Sequence, residues 1–167
     1  KSWFLYDINP NLNALPTRGL LTKKEDWNNN SQGHANNPVS RYSYDVWGNL
    51  RTTTDARNKV TTITYDPAYN LFPLTTTNAM NQAVTSKYYG VNGEPLDDGN
   101  GLKGLWGQLK ETRDPNNQTA KKSYDVFGRG VKEISPLDTV ALPTGEGSYE
   151  YFSNYFKGLK KQRVESG

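Results

Sequence analysis

The chain has 167 residues, of which 34% are hydrophobic and 12% aromatic, and a net charge of +3 from 20 basic and 17 acidic residues. A mean hydropathy of -0.86, with no apolar run approaching the ~18 residues of a spanning helix, excludes a helical membrane span, and so balanced a charge gives no argument for nucleic acid. There is no Cys, so disulfides and thiolate metal sites are excluded. With 18 Asn, 16 Thr, 15 Gly and 11 Tyr, the composition predicts short strands joined by tight turns, an all-β fold rather than a helical bundle.

In chain order, residues 1–40 read as an irregular N-terminal segment with short strands and an Asn-rich loop, DWNNNSQGHANNPVS, at 26–40. The chain opens on Lys1 with no signal-peptide pattern, and is expected to be a piece of a longer polypeptide. Residues 41–89 are repetitive. LRTTT at 50–54 is a short polar strand, TDARNKV at 54–60 a turn, VTTITY at 60–65 a β-branched strand with Thr61, Ile63 and Tyr65 on one face, and YDPAYN a second turn. Residues 90–106 form a Gly-rich insertion loop that breaks the pattern, and 107–167 resume it with YD repeats and then aromatic and basic C-terminal strands. The only segment with any helical character is SNYFKGLKKQRV at 153–164, weakened by Gly158.

The repeat is arithmetic. Tyr-Asp occurs at 6–7, 44–45, 65–66 and 124–125. Gly48 precedes Asp55 by seven residues, as Gly107 precedes Asp114. Ten residues separate Asp55 from Tyr65, Asn78 from Tyr88 and Asp114 from Tyr124, and four separate Tyr44 from Gly48 and Tyr124 from Gly128. The unit is a two-strand hairpin of about 21 residues, too small to bury its own face, so units must stack on neighbours. Tyr44, Asp45, Gly48, Asp55, Tyr65, Asp66, Asp114, Tyr124, Asp125 and Gly128 define it. Asp is expected to accept a backbone N–H two residues on, and Gly to supply positive φ; Asn in DPNNQ tolerates the same conformation.

YDVWGNLRTTTDARNKVTTITYD at 44–66, TTNAMNQAVTSKYYG at 76–90 and TRDPNNQTAKKSYDVFGRGVKEISP at 112–136 resemble the RHS/YD-repeat family. The order of features resembles the repeat region of the B component of bacterial insecticidal toxin complexes and SpvB-like proteins. The chain departs from the family pattern at Gly130, where Leu is usual, at Tyr89, which stands where Asp would follow Tyr88, and at Lys157 and Lys160. The resemblance implies successive antiparallel hairpins in a curved sheet strip, a segment of a larger hollow β-shell. The implied partners are neighbouring RHS repeats of the same or a partner toxin subunit and an enclosed toxin polypeptide. The implied setting is bacterial, secreted or at the cell surface.

No residue pattern predicts catalysis, a cofactor or a metal. His34 stands alone, and one His makes neither a triad nor a histidine metal site. Asp97-Asp98-Gly99-Asn100-Gly101 invites a calcium reading, but counted from Asp98 the fifth and twelfth positions are Leu102 and Leu109, so the EF-hand spacing fails. The repeated Asp residues fall along a ladder of turns instead of converging as a glycosidase pair does. The cluster Lys157, Lys160, Lys161 and Arg163 is small for nucleic acid. The alternative to a shell wall is an adhesin-like YD-repeat module at the cell surface, binding glycans, with Trp47 and Trp106 as the contacts, or a protein partner. An enzyme is disfavoured.

Overall fold

The computed structural model describes residues 1–7, 17–28, 36–140 and 143, and the backbone of 145–151 and 156–162. Its elements are strands β1 (Ser2–Tyr6), β2 (Leu21–Asp26), β3 (Val39–Tyr44), β4 (Leu50–Thr54), β5 (Val60–Tyr65), β6 (Pro73–Thr77), β7 (Ala83–Tyr88), β8 (Leu109–Arg113), β9 (Thr119–Tyr124), β10 (Gly130–Ile134), β11 (Gly145–Tyr151) and β12 (Phe156–Gln162). Among the described residues there is no helix. The all-β class expected from composition and the succession of antiparallel hairpins expected from the repeat and the resemblance are what the chain adopts. The helical candidate at 153–164 is corrected: Phe156–Gln162 is β12, paired with β11 from Tyr151↔Phe156 to Gly145↔Gln162. Gly158 costs a helix about 1 kcal/mol relative to Ala, and β11 offers the same backbone a full set of partners.

The chain divides into two compact units, Lys1–Ala83 and Val84–Gly167. In the first, β1 through β5 each pair antiparallel with the next in sequence. Threonines face each other across the strands, with Thr52↔Thr62 and Thr62↔Thr77 in register, and Ser43 and Thr52 share a hydroxyl hydrogen bond of 2.6 Å. β-Branched residues suit such a pleated, half-exposed surface. Of the described apolar residues here, Phe72 alone is buried.

In the second unit, β7 through β11 each pair antiparallel with the next in sequence. Its buried apolar residues are Tyr89, Val91, Leu102 and Ile134. Three of these four lie in or beside the insertion at 90–106. The insertion is a packed element: Asp97 and Lys103 form a β-bridge, and Lys103 reaches β9 by accepting the Tyr124 N–H (2.7 Å) and the Ser123 hydroxyl (3.0 Å). Burying a side chain of this size contributes roughly 1.5–3 kcal/mol.

Five of the hairpins carry a β-bulge beside their Tyr. Tyr6↔Leu21, Tyr44↔Leu50, Tyr65↔Pro73, Tyr88↔Leu109 and Tyr124↔Gly130 each follow a register shift. The extra residues are Thr22, Arg51, Leu74, Lys110 and Val131. A bulge sets two residues against one and increases local twist.

Candidate functional site

The feature that recurs on this scaffold is a five-residue turn. Asp45, Asp55, Asn78, Asp114 and Asp125 open five copies of it. In each, the first residue's N–H donates to the fifth residue's carbonyl, and the fourth residue's N–H donates to the first residue's carbonyl, at 2.9–3.1 Å. The side-chain oxygen of the first residue accepts two backbone N–H groups, from the third and fifth residues. For Asp45 these are Trp47 (2.9 Å) and Asn49 (2.8 Å); for Asp55, Arg57 and Lys59 (both 2.8 Å); for Asp125, Phe127 and Arg129 (both 2.9 Å). Met80 and Gln82 donate to Asn78, and Asn116 and Gln118 to Asp114, in the same way.

The fourth residue has positive φ in all five turns. It is Gly48 (+93°) and Gly128 (+81°) after Tyr-Asp, and Asn58 (+59°), Asn81 (+60°) and Asn117 (+65°) at the opposite strand ends. The two sorts of turn that the sequence presents separately, Tyr-Asp with Gly and Thr-Asp without it, therefore have one geometry. Asn populates the left-handed region more readily than other non-Gly residues, so the two residue types substitute for each other. The legible signal is Asp or Asn followed three residues later by Gly or Asn.

Asp66 stands in a longer loop. It is fully buried, and accepts N–H groups from Tyr69 (2.6 Å), Leu71 and Phe72 (both 2.9 Å). Burial pushes its carboxyl up, but the amides of Phe72, Leu71, Tyr69 and Asn70 together hold it below the ordinary aspartate value of 3.8. The same balance, burial against donated hydrogen bonds, lowers Asp45 through Asn49 and Asp125 through Arg129. Asp7 is held at about 2, first by the Arg18 amide, with the Leu20 and Gly19 amides adding to it against desolvation. Arg129 also pairs with the second Asp125 oxygen.

The repeat tyrosines tie one hairpin to the previous one. Tyr44 donates its hydroxyl to the Leu21 carbonyl (2.8 Å), Tyr65 to Leu50 (3.1 Å) and Tyr124 to Leu109 (3.0 Å). Each accepting Leu is also the backbone partner of the preceding repeat's tyrosine, at the bulge. Successive turns are linked as well: Arg18 donates to the Val46 carbonyl, Asn49 to Asn70, and Gln108 to Gly128. The sequence reading missed these inter-turn bonds and the bulges, because nothing in residue type marks which carbonyl lies opposite.

The residues singled out for chemistry are dispersed or already occupied. Asp98 forms a sixth turn of related form, accepting the N–H groups of Asn100 (2.8 Å) and Leu102 (3.0 Å), while Asp97 accepts Gly99 (2.9 Å). Among the described residues no three His, Cys, Asp or Glu side chains are grouped to hold a metal. Trp47 is 69% exposed at the tip of the Asp45 turn. Trp106 is 49% exposed, and its ring covers Gly90, where a Cβ would collide with it. His34 and Arg163 lie outside the described residues, as do the side chains of Lys157, Lys160 and Lys161. A surface groove of about 400 Å³ in the first unit is lined by Thr53, Asp55, Lys59, Thr61 and Asn78–Met80. What the turns can do is brace backbone amides and stack strands.

Residues 44–79 match the model of the RHS repeat. No curated protein matches the chain. Among solved structures, the chain is similar to a TcdB2-TccC3-Cdc42 crystal structure and to TcdB2-TccC3 without its hypervariable C-terminal region, each with 14% identity, a TM-score of 0.35, and coverage of 85% of this chain and 8% of that one. It is also similar to a Tc holotoxin pore of Photorhabdus luminescens, with 15% identity, a TM-score of 0.31, and coverage of 83% and 8%. Scores this low carry no argument about function. The chain spans 8% of the length of these proteins.

Proposed function

We propose that the chain, whose residues 44–79 match the RHS-repeat model, is a wall segment of an RHS-repeat shell that encloses a toxic polypeptide in a secreted or injected bacterial toxin, with no chemistry of its own. The domain limits at 40, 89 and 106 belong to this proposal, as do the neighbouring repeats as partners. One observation carries the reading. In each of the five repeated turns, the first side chain is spent on backbone amides of its own turn. A carboxylate that accepts two amides is poorly placed to act as an acid, a base or a metal ligand, and well placed to stiffen a wall. The unit-defining residues hold turns and couple hairpins through the tyrosine hydroxyls.

Limited proteolysis of the intact parent polypeptide tests this. Protection of a non-repeat segment for as long as the repeats stay folded is the expected result. A parent in which every other segment is cut as fast as the free chain overturns it. Exposed Trp47 and Trp106 favour the second reading, a glycan-binding surface module. Specific glycan-array binding that Trp106→Ala removes, without cargo protection, would establish that reading instead.

A further inference from the structure

Asn-Gly occurs twice in the chain, at Asn92-Gly93 and Asn100-Gly101. Both pairs are exposed. Their backbones differ. Asn92 has φ +50° and Gly93 +80°, in a turn closed by the Glu94 N–H on the Val91 carbonyl (3.1 Å). Glu94 is further anchored by Lys110 (2.7 Å) and Lys87 (3.1 Å). The anchored Glu94 holds that turn closed and resists the backbone movement needed for the Asn92 side chain to meet the next amide.

Asn100 is the third residue of the Asp98 turn and Gly101 the fourth. In the other five turns the fourth residue's N–H is tied to the first residue's carbonyl. At Asp98 the carbonyl is taken by the Asn100 side-chain amide instead (3.2 Å), and among the described residues the Gly101 N–H has no hydrogen-bond acceptor. Of the six turns opened by Asp or Asn, the Asp98 turn is the one with Asn before Gly and the one whose fourth-residue nitrogen is unengaged. Gly101 has φ +94° and no side chain, with the Val140 side chain 3.0 Å from where a Cβ would stand.

We infer that Asn100 is a site of spontaneous deamidation. The Gly101 nitrogen attacks Cγ of Asn100. The N–Cγ bond forms, the Cγ–Nδ2 bond breaks, and the amide proton leaves with the nitrogen as ammonia. Water then opens the five-membered imide at either carbonyl, leaving Asp or β-linked isoaspartate at position 100. No oxidant or reductant is needed. The β-linked product adds a main-chain atom inside the Asp98 turn, so one carboxylate no longer reaches both amides. The turn leads directly into buried Leu102 and into Lys103, the residue that holds the insertion to β9. Modification therefore loosens the insertion from the sheet.

The test is ageing of the purified protein at mildly alkaline pH, followed by peptide mass mapping and separation of the Asp and isoaspartyl forms. Conversion at Asn100 ahead of Asn92 and of Asn116 is expected. Aged protein should unfold at lower urea, and Asn100→Gln should show neither change. Asn100→Asp carries the new charge with the normal linkage, and should keep the unaged midpoint. An intact Asn100, or Asn92 converting first, overturns the inference, and the wild-type mass map decides this even if a variant fails to fold.

Discussion

The hairpins β3–β6 and the insertion-covered strands β7–β10 use the same turn and differ in what they bury. In the first stretch, the threonine-faced strands stand half-exposed and the buried side chains are Phe72 and Asp66. In the second, the insertion brings Tyr89, Val91 and Leu102 out of water, with Ser123 and the Lys110 ammonium beneath it. Glu94 pairs with that Lys110 at 2.7 Å, and Tyr89 meets Tyr124 edge-on at 6.1 Å. A regular repeat makes sheet without making much interior, and the interior here forms where the repeat is interrupted.

That contrast is open to direct attack. The largest loss is expected from Tyr89→Ala, which empties a fully buried ring position and removes the hydroxyl bond to the Lys122 carbonyl; about 3–5 kcal/mol should disappear from the urea-unfolding free energy. A loss below about 1 kcal/mol would mean the insertion is not the second unit's core. Asp66→Ala should follow, at about 2–3 kcal/mol, because three buried or part-buried amides lose their acceptor. If it costs no more than the exposed-turn change Asp55→Ala, burial does not distinguish the two turns. Gly48→Val places a β-branched residue at φ +93°, and a loss of about 2 kcal/mol or more is expected. Unchanged thermal stability there would remove the left-handed turn from the account.

Acid should act on the turns in both stretches. Asp45, Asp66, Asp98 and Asp125 are all lowered in the folded state, and Asp7 is held at about 2. Groups with depressed native values contribute stability that is present above the unfolded value, 3.8, and lost as pH falls through the native one. A urea midpoint that is flat above pH ~5 and falls steadily below 3.8 is therefore expected. A midpoint insensitive to acid would contradict the carboxylate–amide bracing. The smallest effect belongs to Trp47→Ala. At 69% exposure it should change stability by no more than about 0.5 kcal/mol, leaving glycan binding as its only readout.

Much of this was legible from the residues. Spacing located Tyr44, Asp45, Gly48, Asp55, Tyr65, Asp66, Asp114, Tyr124, Asp125 and Gly128 at turns and strand ends, since local hydrogen bonding and positive φ are properties of a few adjacent residues. The strands at 50–54 and 60–65 were legible for the same reason, through β-branched content and alternation. The insertion was read as a Gly-rich loop because its composition is that of a loop.

What the chain's own sequence determined is thus the unit: where each turn falls, which residue caps it and which residue takes the left-handed conformation. Tertiary structure alone decided which carbonyl each tyrosine hydroxyl reaches, where the ladder bulges, and that residues 90–104 cover a core over β9. The tyrosine hydroxyl contacts join residues 15 to 33 positions apart. Their pairing depends on register and on the competition among all available partners, which no local pattern encodes.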